Sequence, residues 1–121
     1  TEEPAFKSVD SNFLLTELIL MDDEEFRKKF KGSPIKRIKR RGLLRNVAVA
    51  LGNSQNPEAI PFLTKALEDK EPLVRAHIVW ALGELMQSEC IPLLDEKLAQ
   101  EEEPIVLREI EAVRERFIGG S

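Results

Sequence analysis

Ala59-Ile-Pro-Phe-Leu-Thr-Lys-Ala-Leu67 returns 31 residues later as Cys90-Ile-Pro-Leu-Leu-Asp-Glu-Lys-Leu98, with the same apolar pattern and the same proline. At the same offset, Val47-Ala-Val-Ala-Leu-Gly52 returns as Ile78-Val-Trp-Ala-Leu-Gly83. Each unit is predicted to be a helix, a short polar turn and a second helix. Two-helix units that repeat every roughly 20 to 50 residues are typical of α-solenoids, in which each unit buries its apolar face against its neighbours. The repeat predicts an all-α fold, a short α-solenoid of about six to seven helices.

Upstream of the repeat, capping signals predict further helices. Asp22, with Glu25 three residues later, has the pattern of a capping box at a helix start. Ser33-Pro34 predicts the start of a longer helix, because proline at the first helical position loses no hydrogen bond there. That helix is expected to run to Leu51, with Gly42 as the expected place for any break.

Composition places the chain among soluble globular domains. Its 121 residues are 42% hydrophobic and 33% charged, which fits one domain. We predict a linker or tail at 1–10, the α-solenoid domain at 11–118 and a flexible tail at 119–121. The apolar runs are much shorter than the roughly 20 residues that span a bilayer, so no membrane partner is expected. The absence of a signal peptide and the single cysteine, Cys90, favour a cytoplasmic location, with Cys90 as a small core residue.

Positive charge is concentrated in one part of this acidic chain. The formal net charge is -4, yet no Asp or Glu occurs between Phe26 and Pro57, and ten of the eighteen basic residues lie there. We call residues 27–45 the basic segment. A local positive field on an acidic chain indicates a polyanion partner. Two alternatives involve no nucleic acid: a basic face that only contacts solvent, and a face that packs against an acidic domain of the same protein.

In a continuous helix, the basic segment would form a ridge. Arg37, Arg41 and Arg45 follow each other at intervals of four residues, and Lys36 and Arg40 would lie beside them. Arginine binds phosphate oxygens bidentately, and counterion release favours such binding. We therefore expect this ridge to contact the phosphates of a nucleic acid.

Other polar residues of the chain are predicted to be structural. His77 and Trp80 lie beside the apolar stripe of their helix, where a half-buried contact between helices is expected more often than a ligand site. Arg75 is expected to form a hydrogen bond or salt bridge between repeats. One histidine and one cysteine cannot build a zinc site. We predict no catalytic residue and no metal site, so an autonomous enzyme is the least favoured hypothesis.

Two stretches carry a family resemblance. The first is Phe30-Lys-Gly-Ser-Pro-Ile35, then Arg37, then Gly42-Leu-Leu-Arg-Asn-Val-Ala-Val-Ala-Leu-Gly-Asn53, and the second is Pro72-Leu-Val-Arg-Ala-His-Ile-Val-Trp-Ala-Leu-Gly83. The first resembles the segment that opens the C-terminal HEAT-like region of epoxyqueuosine reductase. The second is similar to the following repeat of that family, and the resemblance extends over about 14–117.

The resemblance implies a cytoplasmic tRNA-modification enzyme that reduces epoxyqueuosine to queuosine at the anticodon wobble base, the last step of queuosine biosynthesis. The full-length enzyme is implied to use cobalamin and two [4Fe-4S] clusters. The cluster cysteines and the cobalamin domain are absent here, so the resemblance implies a non-catalytic piece without a cofactor of its own. It would hold tRNA beside N-terminal catalytic domains of the same protein.

By position, the resemblance carries over six residues as tRNA contacts: Ser33, Arg37, Arg41, Arg45, Asn46 and Asn53. Together with the other basic residues, the predicted RNA-binding residues are Lys31, Ser33, Lys36, Arg37, Arg40, Arg41, Arg45, Asn46 and Asn53. The alternative is a HEAT-repeat scaffold for protein–protein interaction, in which the same ridge docks an acidic partner. Steeply salt-dependent binding to tRNA would favour the first hypothesis, and tight binding to a protein without RNA affinity would favour the second.

Overall fold

Seven α-helices and no β-strand are present in residues 11–119, the part of the chain that the computed structural model describes. The predicted segment 1–10 and most of the predicted tail at 119–121 lie outside the described residues. The all-α class and the number of helices are confirmed. No helix in the described part is both long and apolar enough to cross a bilayer. The helices are α1 (Ser11–Leu18), α2 (Asp23–Lys29), α3 (Lys39–Gly52), α4 (Ile60–Ala66), α5 (Pro72–Met86), α6 (Ile91–Gln100) and α7 (Pro104–Arg114).

The helices pack in two layers, as the repeat predicts. In one layer, α5 lies between α3 and α7, while α1, α4 and α6 pack against this layer from one side. The equivalent apolar residues of the repeats meet between the layers and are fully buried. They include Leu44, Val47, Leu51, Ile78, Leu82, Leu94 and Ile110. Each hairpin therefore covers the apolar face of the next one, which confirms the α-solenoid.

Helix starts follow the capping chemistry of the sequence. At α2, the Glu25 backbone N–H donates to Asp22 Oδ1 over 2.8 Å, and the Asp22 N–H donates to Glu25 Oε1 over 3.0 Å. This confirms the predicted capping box. Helices α4 to α7 each carry proline in the first turn, where its missing N–H leaves no hydrogen bond unmade.

The predicted continuous helix from Ser33-Pro34 to Leu51 is wrong in its first part. Residues Pro34–Ile38 form a 3-10 turn, and α3 begins only at Lys39, which has φ +65°. A left-handed residue cannot continue a right-handed helix, so the chain changes direction there. Gly42, the expected break, lies inside α3. Arg37 therefore lies on a turn that precedes the helix carrying Arg41 and Arg45.

Candidate nucleic-acid interface

Most of the predicted RNA-binding residues lie on the surface. Ser33 is half-exposed, and the side chain of Lys36 lies outside the described residues. Arg40 is the exception, because it is buried. The exposed residues are Lys31, Arg37, Arg41, Arg45, Asn46 and Asn53. The fold thus leaves six of the nine in contact with solvent.

The outward side of α3 carries the centre of the interface. Arg41 and Arg45 are one helical turn apart and both are exposed, so their side chains leave the helix on the same face. Arg45 donates from Nε and Nη2 to Asn46 Oδ1 over 3.2 and 3.1 Å. This contact engages the oxygen of the amide and leaves its NH₂ group without a hydrogen-bond partner in the described residues. Arginine and amide donors are therefore presented together.

Cations in the basic segment have few anionic partners within the described part of the chain. Apart from the buried Arg40, one ion pair of the segment is formed within the described residues: Lys28 pairs with Glu24 over 3.9 Å at high exposure, so it contributes little. The side chains of Arg37, Lys39 and Arg41 make no hydrogen bond or ion pair there. Within the described residues no acidic side chain pairs with these charges, so they are available to an external polyanion.

Arg40, predicted to contact RNA, has a structural role instead. Its side chain is 9% exposed, and Nε donates to the Met21 carbonyl over 2.8 Å. Its two terminal nitrogens both donate to the carboxylate of Asp69, whose side chain is 6% exposed. All three nitrogen atoms of the guanidinium thus donate to groups inside the protein. The assignment of Arg40 to the interface is therefore wrong.

This buried guanidinium joins three parts of the fold. The turn after α1 supplies Met21, α3 supplies Arg40 and the turn after α4 supplies Asp69. A more exposed ion pair joins Lys70 to Asp23 at the same junction. The hydrogen bond from Lys70 lowers the pKa of the Asp23 carboxyl. The apolar stripe could have revealed the burial, because Arg40 lies four residues before Leu44 on the buried side of α3.

Arg75 has the predicted role between repeats. It donates from Nε and Nη2 to the Glu101 carboxylate, both over 2.9 Å, and from Nη1 to the Asp69 carbonyl over 2.7 Å. These contacts link the start of α5 to the turn before α7. The predicted inter-repeat salt bridge is confirmed.

The residues of this chain do not fit the cofactors that the resemblance implies. A [4Fe-4S] cluster needs several cysteine thiolates, whereas Cys90 is single and fully buried. Burial raises the pKa of its thiol, as expected for the predicted core residue. No group of three or more His, Cys, Asp or Glu that could hold a metal ion occurs in residues 11–119. Within residues 11–119, the side chains therefore do not supply the ligand set of such a cluster.

The comparisons with known proteins agree with the fold. A family model of HEAT repeats matches residues 40–114. Epoxyqueuosine reductase of Xanthomonas campestris is 37% identical over 87 residues, and that of Salmonella typhimurium is 31% identical over 101 residues. Epoxyqueuosine reductase of Pseudomonas aeruginosa is 44% identical over 75 residues.

These relatives are much longer than the chain. The alignments cover 69%, 84% and 59% of this chain but only 24%, 26% and 20% of the three reductases. The chain thus spans about a quarter of the length of the curated relatives that it matches. No solved structure matches it at a significant level. Its sequence is similar to a segment of epoxyqueuosine reductases, and the chain belongs to the HEAT-repeat family.

Proposed function

We propose that this chain is a non-catalytic HEAT-repeat module of an epoxyqueuosine reductase that positions tRNA, through its anticodon stem-loop, for the last step of queuosine biosynthesis in the cytoplasm. The observation that carries the proposal is the set of exposed cations at Arg37, Lys39, Arg41 and Arg45, whose side chains have no acidic partner in the described structure. Similarity to epoxyqueuosine reductases supports the choice of tRNA. The reduction, with cobalamin and two [4Fe-4S] clusters, is assigned to N-terminal catalytic domains of the whole enzyme.

Phosphate recognition explains why the exposed cations matter. Arg41 and Arg45 present planar forks that match phosphate oxygens, and Lys39 and Arg37 extend the positive field along the preceding turn. A cation that binds a phosphate releases condensed counterions, so affinity falls as salt concentration rises. The module would hold the stem by its backbone, and such contacts orient the RNA without reading its sequence.

Fluorescence polarisation with a labelled anticodon stem-loop tests the proposal. The test compares the wild-type chain with Arg41→Gln/Arg45→Gln at several salt concentrations. We expect wild-type dissociation constants of roughly 1–100 μM near physiological salt. The double variant should bind more weakly, and the slope of log affinity against log salt should decrease by about one for each phosphate contact that is lost.

A matched control distinguishes the effect of where the cations lie from the effect of total net charge on RNA binding. Lys65→Gln/Arg108→Gln removes two exposed cations that lie on α4 and α7, so its net charge equals that of the test variant. The control should bind RNA like the wild type. Equal losses in both variants would show that total charge, not the basic segment, controls binding. If no variant binds RNA and an acidic protein is bound instead, the tRNA proposal is wrong.

A further inference from the structure

We infer that the surface between α3 and α5, next to the basic segment, receives an unpaired base of the bound RNA at Trp80 and His77. The inference rests on the proposed function, because the phosphates must be held by the neighbouring cations. It adds a ligand class to that proposal: the module would bind looped RNA in preference to a continuous duplex.

The repeat register places two outward rows side by side. Helices α3 and α5 pack against each other along the layer, and residues 31 apart are equivalent in the two repeats. Both rows are at least partly exposed along their whole length. On α3 the row is Gly42, Asn46, Val49 and Asn53, and on α5 it is Leu73, His77, Trp80 and Glu84. Trp80 and His77 therefore lie one helix away from Arg45 and Asn46.

Trp80 is held in a defined position and keeps an unused donor. A Cβ atom added at Gly52 would lie 2.6 Å from Trp80 Cζ3, so the benzenoid edge of the indole packs directly over the backbone of α3. The indole N–H has no acceptor in the described part of the chain, and no buried side-chain nitrogen there lacks a partner. The N–H consequently reaches solvent from a half-buried aromatic ring.

His77 supplies an acceptor on the same face. Its Nδ1 lies 2.9 Å from the Leu73 carbonyl oxygen. A carbonyl oxygen can only accept, so Nδ1 must carry the hydrogen and donate it. Neutral imidazole then keeps a lone pair on Nε2, which has no hydrogen-bond partner in the described residues. The carboxylate of Glu109 on α7 interacts electrostatically with the same ring. His77 and Trp80 are three residues apart on α5, so acceptor and donor lie on the same face.

These groups match the chemistry of a nucleobase. Base edges combine hydrogen-bond donors and acceptors, and base faces stack on aromatic rings. Within a duplex the edges are paired and the internal faces are stacked, so an unpaired base, as in a loop, is what can present both its edge and its face to Trp80. Asn46 adds an NH₂ group that its contact with Arg45 does not engage. Cations for phosphates and a donor–acceptor–aromatic surface for a base thus lie on adjacent helices.

Trp80 is the single tryptophan of the chain, so its emission reports on this surface directly. The experiment titrates the chain with an anticodon stem-loop and with a blunt duplex of the same stem, following both polarisation and tryptophan fluorescence. We expect the stem-loop to quench the emission with the midpoint that polarisation gives. The duplex should bind through its phosphates and leave the emission unchanged.

A second variant separates the two proposals. Trp80→Phe keeps an aromatic ring against α3 but loses the N–H and part of the stacking face, so stem-loop binding should weaken by about 5-fold or more, while duplex binding stays the same. Arg41→Gln/Arg45→Gln should weaken both RNAs. If the stem-loop binds without quenching and Trp80→Phe has no effect, the base surface is wrong and the phosphate site stands. If neither RNA binds, both proposals fail.

Discussion

Replacement of Arg40 by methionine tests the buried contact that fixes the start of α3. The side chains of Arg40 and Asp69 are 9% and 6% exposed, so loss of the guanidinium leaves a carboxylate almost out of water. Removal of one partner from a buried ion pair costs about 3–5 kcal/mol of unfolding free energy. The lost hydrogen bond to the Met21 carbonyl adds about 1 kcal/mol.

The cost of breaking the ion pair is expected near the lower end of its range. The backbone N–H of Glu71 still donates to Asp69 Oδ2 over 3.0 Å in the variant, so the carboxylate keeps one hydrogen bond. We therefore expect Arg40→Met to lower the free energy of unfolding by about 4 kcal/mol, about 3 kcal/mol for the broken ion pair and about 1 kcal/mol for the lost hydrogen bond. A domain of this size has about 5–15 kcal/mol in all, so the loss is a large part of its stability.

Urea denaturation followed by far-UV circular dichroism measures this change. Arg41→Met is the matched control, because it removes the same charge from the next residue of α3, where the side chain is exposed. It should change stability by less than about 0.5 kcal/mol. Arg40→Met/Asp69→Asn should be more stable than Arg40→Met alone, because no charge is left unpaired. A cost below about 1 kcal/mol for Arg40→Met would refute the reasoning.

Three further changes give predictions of defined sign. Burial opposes ionisation of Glu101, but the hydrogen bonds from Arg75 prevail and hold its pKa below 4.5. Its stabilising effect is complete above about pH 4.5 and is lost as pH falls through the folded pKa. In acid titrations, Glu101→Gln should reduce that loss. Burial raises the pKa of Glu109 above 4.5, so its carboxylate destabilises the fold at neutral pH; Glu109→Gln should raise Tm at pH 7 but not at pH 4. Gly52→Ala should cost about 1–3 kcal/mol in urea denaturation, because its Cβ would meet Trp80; an unchanged midpoint would contradict this.

Local pattern predicted much of the candidate site. The exposure of Arg41 and Arg45 follows from their positions opposite the apolar stripe of α3, and the inter-repeat pairing of Arg75 follows from its place at the start of α5. The charge of Arg40 alone predicts a surface position, but its place on the buried side of α3 puts it in the interior. Its partner Asp69 is 29 residues away, at a distance that no helical period relates to it.

The sequence by itself determined the helical repeat, the all-α solenoid and the concentration of positive charge, because apolar periodicity, capping and composition act within a few turns of chain. Only the tertiary structure decided which cations face solvent and which are buried and paired inside the protein. The left-handed backbone of Lys39 separates Arg37 from the α3 ridge, and the meeting of two turns at Arg40 removes that residue from the surface. Both outcomes depend on how distant segments pack, since a buried charge is stable only where the fold brings it a partner.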